Sequence, residues 1–556
     1  MLLPIIFGIF TTLQSAPTIN EANGTVVIQT SLGSLRGLRI QSYDNRSGFA
    51  FFAVPFAEST DGPRRFALPQ PRKPWSGIRD ATVKGMACPA DPMLTWKKPI
   101  WDRMNEDCLH NYIFTSRRCL LKGGCAVMFA IHGGNHDFGS PVTFDENTDI
   151  CFPNLIRYFY SGQDVVIVVS AYRLAALGTL NLAPGRRNLS SDANVCMHDV
   201  LLSMKWVQRE ISSFGGDPKR VTLFGHSAGS MMAELISISP SFNGLYSQLT
   251  CMSGTYSAVT ASKETNVLSS WLTAELLGCA DVRTNRVETE SIERVIECMR
   301  KKTWQEIIDA RRALNDHPEQ LFRPAPDGEG GLFPDYLPEL AKRRVAVPTL
   351  IGTTTVEFLD SQYCLDEKRK VIMSRLEELC VTLAYAHNYT RPETARRLCV
   401  EYYSQGDRAK TVFEDLTFYV PTFNTAVQLT EKDVPVYLYS YAYNGSGKAY
   451  DKYNIYQAYE HPAHSEDYFL HFAKTGYPYP GDGQSSWNKF TTSQHDYYLI
   501  DFPDSSNQMP GNRHFYQGES VELWLKTITK CVLIYHAFLV GNEQLSCAGP
   551  IPSGLI

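Results

Sequence analysis

Short runs of apolar, β-branched residues that stop at a glycine recur along the chain, and helical spacings fill the intervals between them. Val127–Ile131 runs into His132-Gly133-Gly134, and Val165–Tyr172 reads VVIVVSAY, apolar on both faces. Val221–Phe224 closes on Gly225, and Val347–Gly352 leads into Thr353–Glu357. A strand that is apolar on both faces must be covered on both, which predicts a mostly parallel sheet lying between helices. Leu201, Met204, Val207 and Ile211 share one helical face and predict a helix over Val200–Ile211. Asp217-Pro218 predicts a turn ahead of the Val221 strand. The expected fold class is therefore α/β, with a large, mostly parallel central sheet and helices on both faces.

Composition narrows the class without changing it. The 556 residues are 44% hydrophobic and 20% charged, enough for a large core without help from metals or oligomers and too apolar for disorder. Lys and Arg (53) nearly balance Asp and Glu (58), for a net charge of −5, so neither a nucleic-acid footprint nor a polybasic membrane face is expected. Residues 1–16 carry an apolar run, Leu2–Phe10, and end on Ser15 and Ala16, the pattern of a signal peptide. No other apolar stretch reaches the roughly 18–20 residues of a membrane span. Cys531–Gly541 is too short and contains His536. Fourteen cysteines and five N-x-Ser/Thr sequons, at Asn23, Asn45, Asn188, Asn388 and Asn444, suit a secreted or lumenal protein. No repeat or composition shift marks a boundary, so residues 17–556 are expected to form one domain.

The sharpest chemical signal is Gly225-His226-Ser227-Ala228-Gly229, placed after the strand Val221–Phe224 and before the helix-forming run Ala228–Ile238. A nucleophile elbow needs this context, because a strand-to-helix turn strains the serine and only small neighbours avoid clashes. The bland alternative is a tight turn with an incidental serine.

Phe214–Gly229, FGGDPKRVTLFGHSAG, resembles the elbow signature of the type-B carboxylesterase/cholinesterase family of α/β-hydrolases. The resemblance extends to Phe52–Ala57, Arg65-Phe66, Pro74-Trp75 and Glu106–Asn111. Tyr172-Arg173-Leu174, Asn194, Asp199, Trp206, Phe472–Gly476 and Trp487 follow in the family's order. It implies a secreted serine esterase in which Ser227 is the nucleophile, Glu357 the orienting acid and His464 the general base, the chain order of the fold. Glu357 is followed by Phe358, where the family usually has Gly. Seven histidines follow Glu357; His464-Ser-Glu-Asp467 resembles the family's histidine block, and His461 is its near rival.

The family's glycine run appears here as His132-Gly133-Gly134-Asn135, implying oxyanion donors at the N–H groups of Gly134, Asn135 and Ala228. Asn135 tolerates left-handed φ better than other non-glycine residues, but Asn135 and His136 add bulk at the acyl site. His226 stands where the family often has Glu. The resemblance further implies the disulfides Cys88–Cys108 and Cys279–Cys298; the other ten cysteines stay unassigned, and no cysteine lies near Pro421 for the family's third bridge.

Such a mechanism needs no metal or organic cofactor, and its partner is a small-molecule ester, with no nucleic acid or transmembrane anchor. Two alternatives remain open on sequence. A cholinesterase would need an aromatic for cation–π contact within the Cys88–Cys108 loop, where Trp96 and Trp101 lie. An esterase-like adhesion protein would share the fold without catalysis. Acyl preference, physiological substrate and oligomeric state are not legible.

Overall fold

The computed structural model describes residues 18–20, 23–41, 47–91, 101–141, 164–183, 192–256, 263–281, 289–314, 323–357, 364–366, 370–386, 391–406, 408–442, 465–478, 486–501 and 510–528. Among these, 14 strands share one sheet. Its central seven run parallel, in the order Val165–Ser170, Cys125–Ile131, Gly216–His226, Gln248–Met252, Thr349–Thr354, Val436–Tyr441 and Tyr497–Ile500. Beyond Val165–Ser170 the sheet continues antiparallel through His110–Ser116, Ser47–Pro55, Ser34–Gln41, Thr25–Gln29 and Thr18–Asn20.

The parallel strands alternate their side chains between two cores. Val166, Val168, Phe129, Val221 and Leu223 face the helices Val195–Glu210 and Ala228–Ile238. Ile167, Val169, Met128, Phe224 and Leu350 face the opposite core, which holds Phe469 and Phe472 of the helix Ser465–Thr475. Burial of both faces is what the apolar runs require.

Local boundaries differ from expectation for physical reasons. The Val200–Ile211 helix begins earlier, at Val195, after Asn194 turns the chain in the left-handed region at φ 55°. Asp217 and Pro218 fall inside the strand Gly216–His226, but its pairing jumps there from Cys125–Gly216 to Val127–Val221, so the expected turn is a bulge. The expected Val347 strand starts at Thr349, since Pro348 has no N–H for the ladder.

Four disulfides join described cysteines: Cys88–Cys108, Cys279–Cys298, Cys119–Cys125 and Cys380–Cys399. Sequence reading had no basis for the last two pairs. Among the described residues no helix is long and apolar enough to cross a membrane. Because seven strands are parallel, the loops after Ile131, His226, Met252 and Thr354 all open at one edge of the sheet, where parallel α/β folds bind ligands.

Candidate active site

Ser227 sits where the strand Gly216–His226 meets the helix Ala228–Ile238, with φ 54° and ψ −124°, a conformation few side-chain-bearing residues adopt. Close packing forces it there. A Cβ at Gly225 would collide with the Gly229 carbonyl, and one at Gly229 with the Ile131 carbonyl. The turn is tied to the neighbouring strand by the Ser227 N–H, which donates to the Met252 carbonyl at 2.8 Å. Ser227 remains partly exposed while its flanks are buried.

The glycine run lies against this elbow. A Cβ on Gly133 would come within 3.0 Å of Ser227 Cβ and 2.8 Å of the His226 carbonyl oxygen. Tyr172 holds the run from behind: its ring stacks on His132 at 4.3 Å and its hydroxyl donates to the His132 carbonyl at 2.7 Å. Gly134, Asn135 and His136 then all take positive φ, 112°, 53° and 62°. Among the described residues, no turn or loop hydrogen bond uses the N–H of Gly134, Asn135 or Ala228. His132, His136 and His226 are buried, and burial pushes their pKa values down to about 4, 3 and 3, so these imidazoles are neutral.

Glu357 follows the strand Thr349–Thr354 at the same edge. Its Oε1 accepts from Ser253 Oγ at 2.7 Å and from the Thr354 N–H at 2.8 Å. Burial raises its pKa to about 7, and these hydrogen bonds only partly oppose the rise. Two tyrosines brace the segment that carries it. Tyr419 donates to the Thr355 carbonyl at 3.0 Å, and the Tyr516 hydroxyl pairs with Thr353 Oγ1 at 2.6 Å. Sequence reading missed Ser253, Tyr419 and Tyr516. For Ser253 the available signal was a short apolar strand, Gln248–Met252, closing on Ser253-Gly254; for the tyrosines there was none.

His464 lies outside the described residues, as do His461, Phe358, Trp96, residues 1–16 and sequons Asn45, Asn188, Asn388 and Asn444. Asn23 is described and exposed. The helix Ser465–Thr475 starts at the residue after His464. Its Phe469 packs on Phe224 and Tyr439, and its Lys474 carbonyl accepts from Arg220, near the start of the Ser227 strand. The helix thus runs down the sheet with its N-terminus toward the edge that carries Ser227. Three later histidines are engaged elsewhere: His471 with the Tyr477 carbonyl, His514 with Asp496, and His495 against Phe423. His495 precedes the strand Tyr497–Ile500, which places it at the opposite edge. Among the described residues no three His, Cys, Asp or Glu side chains gather as a metal would require.

A family model described as "Carboxylesterase family" matches residues 24–524. The chain belongs to this carboxylesterase family. It is similar to acetylcholinesterase-1 of Trittame loki, at 30% identity over 61% of this chain and 59% of that protein. It is also similar to acylcarnitine hydrolase of Rattus norvegicus (27%, over 79% of the chain and 76% of the relative). Carboxylesterase 3B of Mus musculus matches at 28%, over 78% and 74%. Within this carboxylesterase, Asn135 and Asp137, in the loop after the strand Cys125–Ile131, have polar partners far away in sequence. Arg323 Nη2 donates to Asn135 Oδ1, and Arg311 Nη2 to Asp137 Oδ2.

Proposed function

We propose that this carboxylic ester hydrolase is a secreted serine esterase acting through Ser227, His464 and Glu357. The observation that carries the reading is Ser227 itself, strained at a strand-to-helix turn with the glycine run packed against it. Glu357 at the same edge and the helix that begins next to His464 support the other two roles.

In this mechanism His464 removes the Ser227 proton as Oγ attacks the ester carbonyl carbon. Gly134, Asn135 and Ala228 donate their N–H groups to the tetrahedral oxyanion. His464 returns the proton to the departing alcohol, and water then attacks the acyl-enzyme by the same route in reverse order. Glu357, as a carboxylate, keeps the imidazole in the right tautomer and stabilises its cation. Residues 1–16 are read as a signal peptide and 17–556 as one domain glycosylated at the sequons, and the four disulfides support passage through an oxidising compartment.

The test is hydrolysis of short-chain p-nitrophenyl esters by the secreted protein and its Ser227→Ala variant, with acetylthiocholine as a second substrate. Turnover abolished by the substitution supports the serine esterase, and the choline ester then separates a cholinesterase from a general esterase. A folded protein with no serine-dependent turnover on any ester would overturn the reading in favour of a non-catalytic, binding role.

A further inference from the structure

We propose that Arg323 and Asp137 are positioning residues that clamp the side-chain amide of Asn135 and so hold the oxyanion loop in its left-handed form. The kinetic consequence rests on the serine-esterase reading; the clamp is a property of the loop alone.

The loop has a conformational problem to solve. Asn135 and His136 take consecutive left-handed conformations, at φ 53° and 62°, which cost a residue with a Cβ more than right-handed ones even though Asn tolerates them best. Packing does not impose this on Asn135, which is exposed. Its amide, however, is held on both sides. Nδ2 donates to Asp137 Oδ2 at 3.2 Å, and Oδ1 accepts from Arg323 Nη2 at 3.2 Å.

Each jaw of the clamp is itself anchored. Asp137 is buried, takes a 3.1 Å hydrogen bond from Arg311, and donates its own N–H to the Gly134 carbonyl at 2.9 Å. The Arg323 carbonyl accepts from buried Asn266 at 2.8 Å. Two residues on, Ala325 exchanges a pair of hydrogen bonds with buried Asn194, at 2.7 and 2.9 Å. The downstream end is pinned as well, where the Ala175 N–H donates to the His136 carbonyl at 2.7 Å. An amide gripped between fixed partners holds its backbone with it. Released, Asn135 is held left-handed only by the backbone bonds to the Gly134 and His136 carbonyls, and its N–H samples orientations out of line with the oxyanion. A glycine would need no such grip, because it populates positive φ unaided.

The experiment is a double-mutant cycle of Arg323→Leu with Asn135→Gly, read by kcat and KM on p-nitrophenyl butyrate and by deuterium exchange of the peptide covering residues 132–141. Thermal midpoints confirm that every variant is folded. Alone, Arg323→Leu is expected to lower kcat roughly 10- to 100-fold, less than the roughly 100- to 1,000-fold of an oxyanion donor removed outright, to leave KM nearly unchanged, and to speed exchange in the loop. In the Asn135→Gly background the same substitution should change neither kcat nor exchange. Equal losses in both backgrounds, or no loss with Asn135 present, would overturn the clamp. Absence of wild-type turnover would instead refute the serine-esterase reading, and the exchange cycle alone would then decide the clamp.

Discussion

Ser227 and Asn135 lie at the same edge of the sheet and both adopt backbone conformations that side chains resist, yet they are held there by opposite means. The elbow is held sterically. Gly225 and Gly229 let two carbonyl-lined backbones approach so closely that Ser227 has nowhere else to go. The loop that carries Asn135, the proposed oxyanion loop, is held by polar groups reaching from Arg311 and Arg323, far along the chain. Steric confinement depends on small residues in local order, and a motif records it. Polar clamping depends on where distant loops meet, and no local pattern records that.

The same distinction explains what could be read from sequence. The parallel sheet, its double-sided burial and the elbow all follow from β-branched runs and adjacent glycines. The helix Ala228–Ile238 appears at its expected limits because the elbow fixes its start. The helix at Val195–Glu210 was legible only in part. Its first turn is buried with no single apolar stripe, so spacing revealed only the second half. Ser253 beside Glu357, the Tyr419 and Tyr516 braces, and the buried pair Glu234–Arg344 are all products of tertiary contact.

The largest effect should come from the proposed nucleophile: Ser227→Ala is expected to cost on the order of 10⁶-fold in kcat, measured on p-nitrophenyl esters against an unchanged thermal midpoint.

Glu357→Gln should lower kcat about 10⁴-fold by losing the carboxylate that orients the base. It also probes pH. With Glu357 at about 7 against an ordinary 4.5, the folded carboxyl keeps its proton over a range where the unfolded one has lost it. The contribution of Glu357 to stability should therefore fall as pH rises from 4.5 to about 7 and then level, against a background in which the buried histidines His132, His136 and His226 gain stability as pH rises, while activity rises as the carboxylate forms. Urea unfolding at several pH values should show this slope in the difference between the wild type and Glu357→Gln, where the contributions of the other groups cancel.

Next in size is the ion pair on the inner side of the nucleophile helix, where Glu234 and Arg344 meet at 2.7 Å with both side chains 0% exposed. Arg344→Met strands a buried carboxylate and should cost about 3–5 kcal/mol in urea unfolding. Adding Glu234→Leu should recover much of that loss.

The smallest effect tests the steric end. Gly225→Ala puts a methyl group against the Gly229 carbonyl and should cost roughly 1–3 kcal/mol in thermal unfolding, with kcat falling alongside. A tolerated alanine would mean that the elbow is less confined than its packing indicates.

The most direct test of the central claim is covalent labelling with a fluorophosphonate, which needs an activated serine and no assumption about substrate, followed by peptide mapping. One label per chain is expected, on Ser227, with labelling nearly lost in His464→Gln and kept in His461→Gln. Label on another residue, or labelling of Ser227 at the same rate without His464, would contradict it.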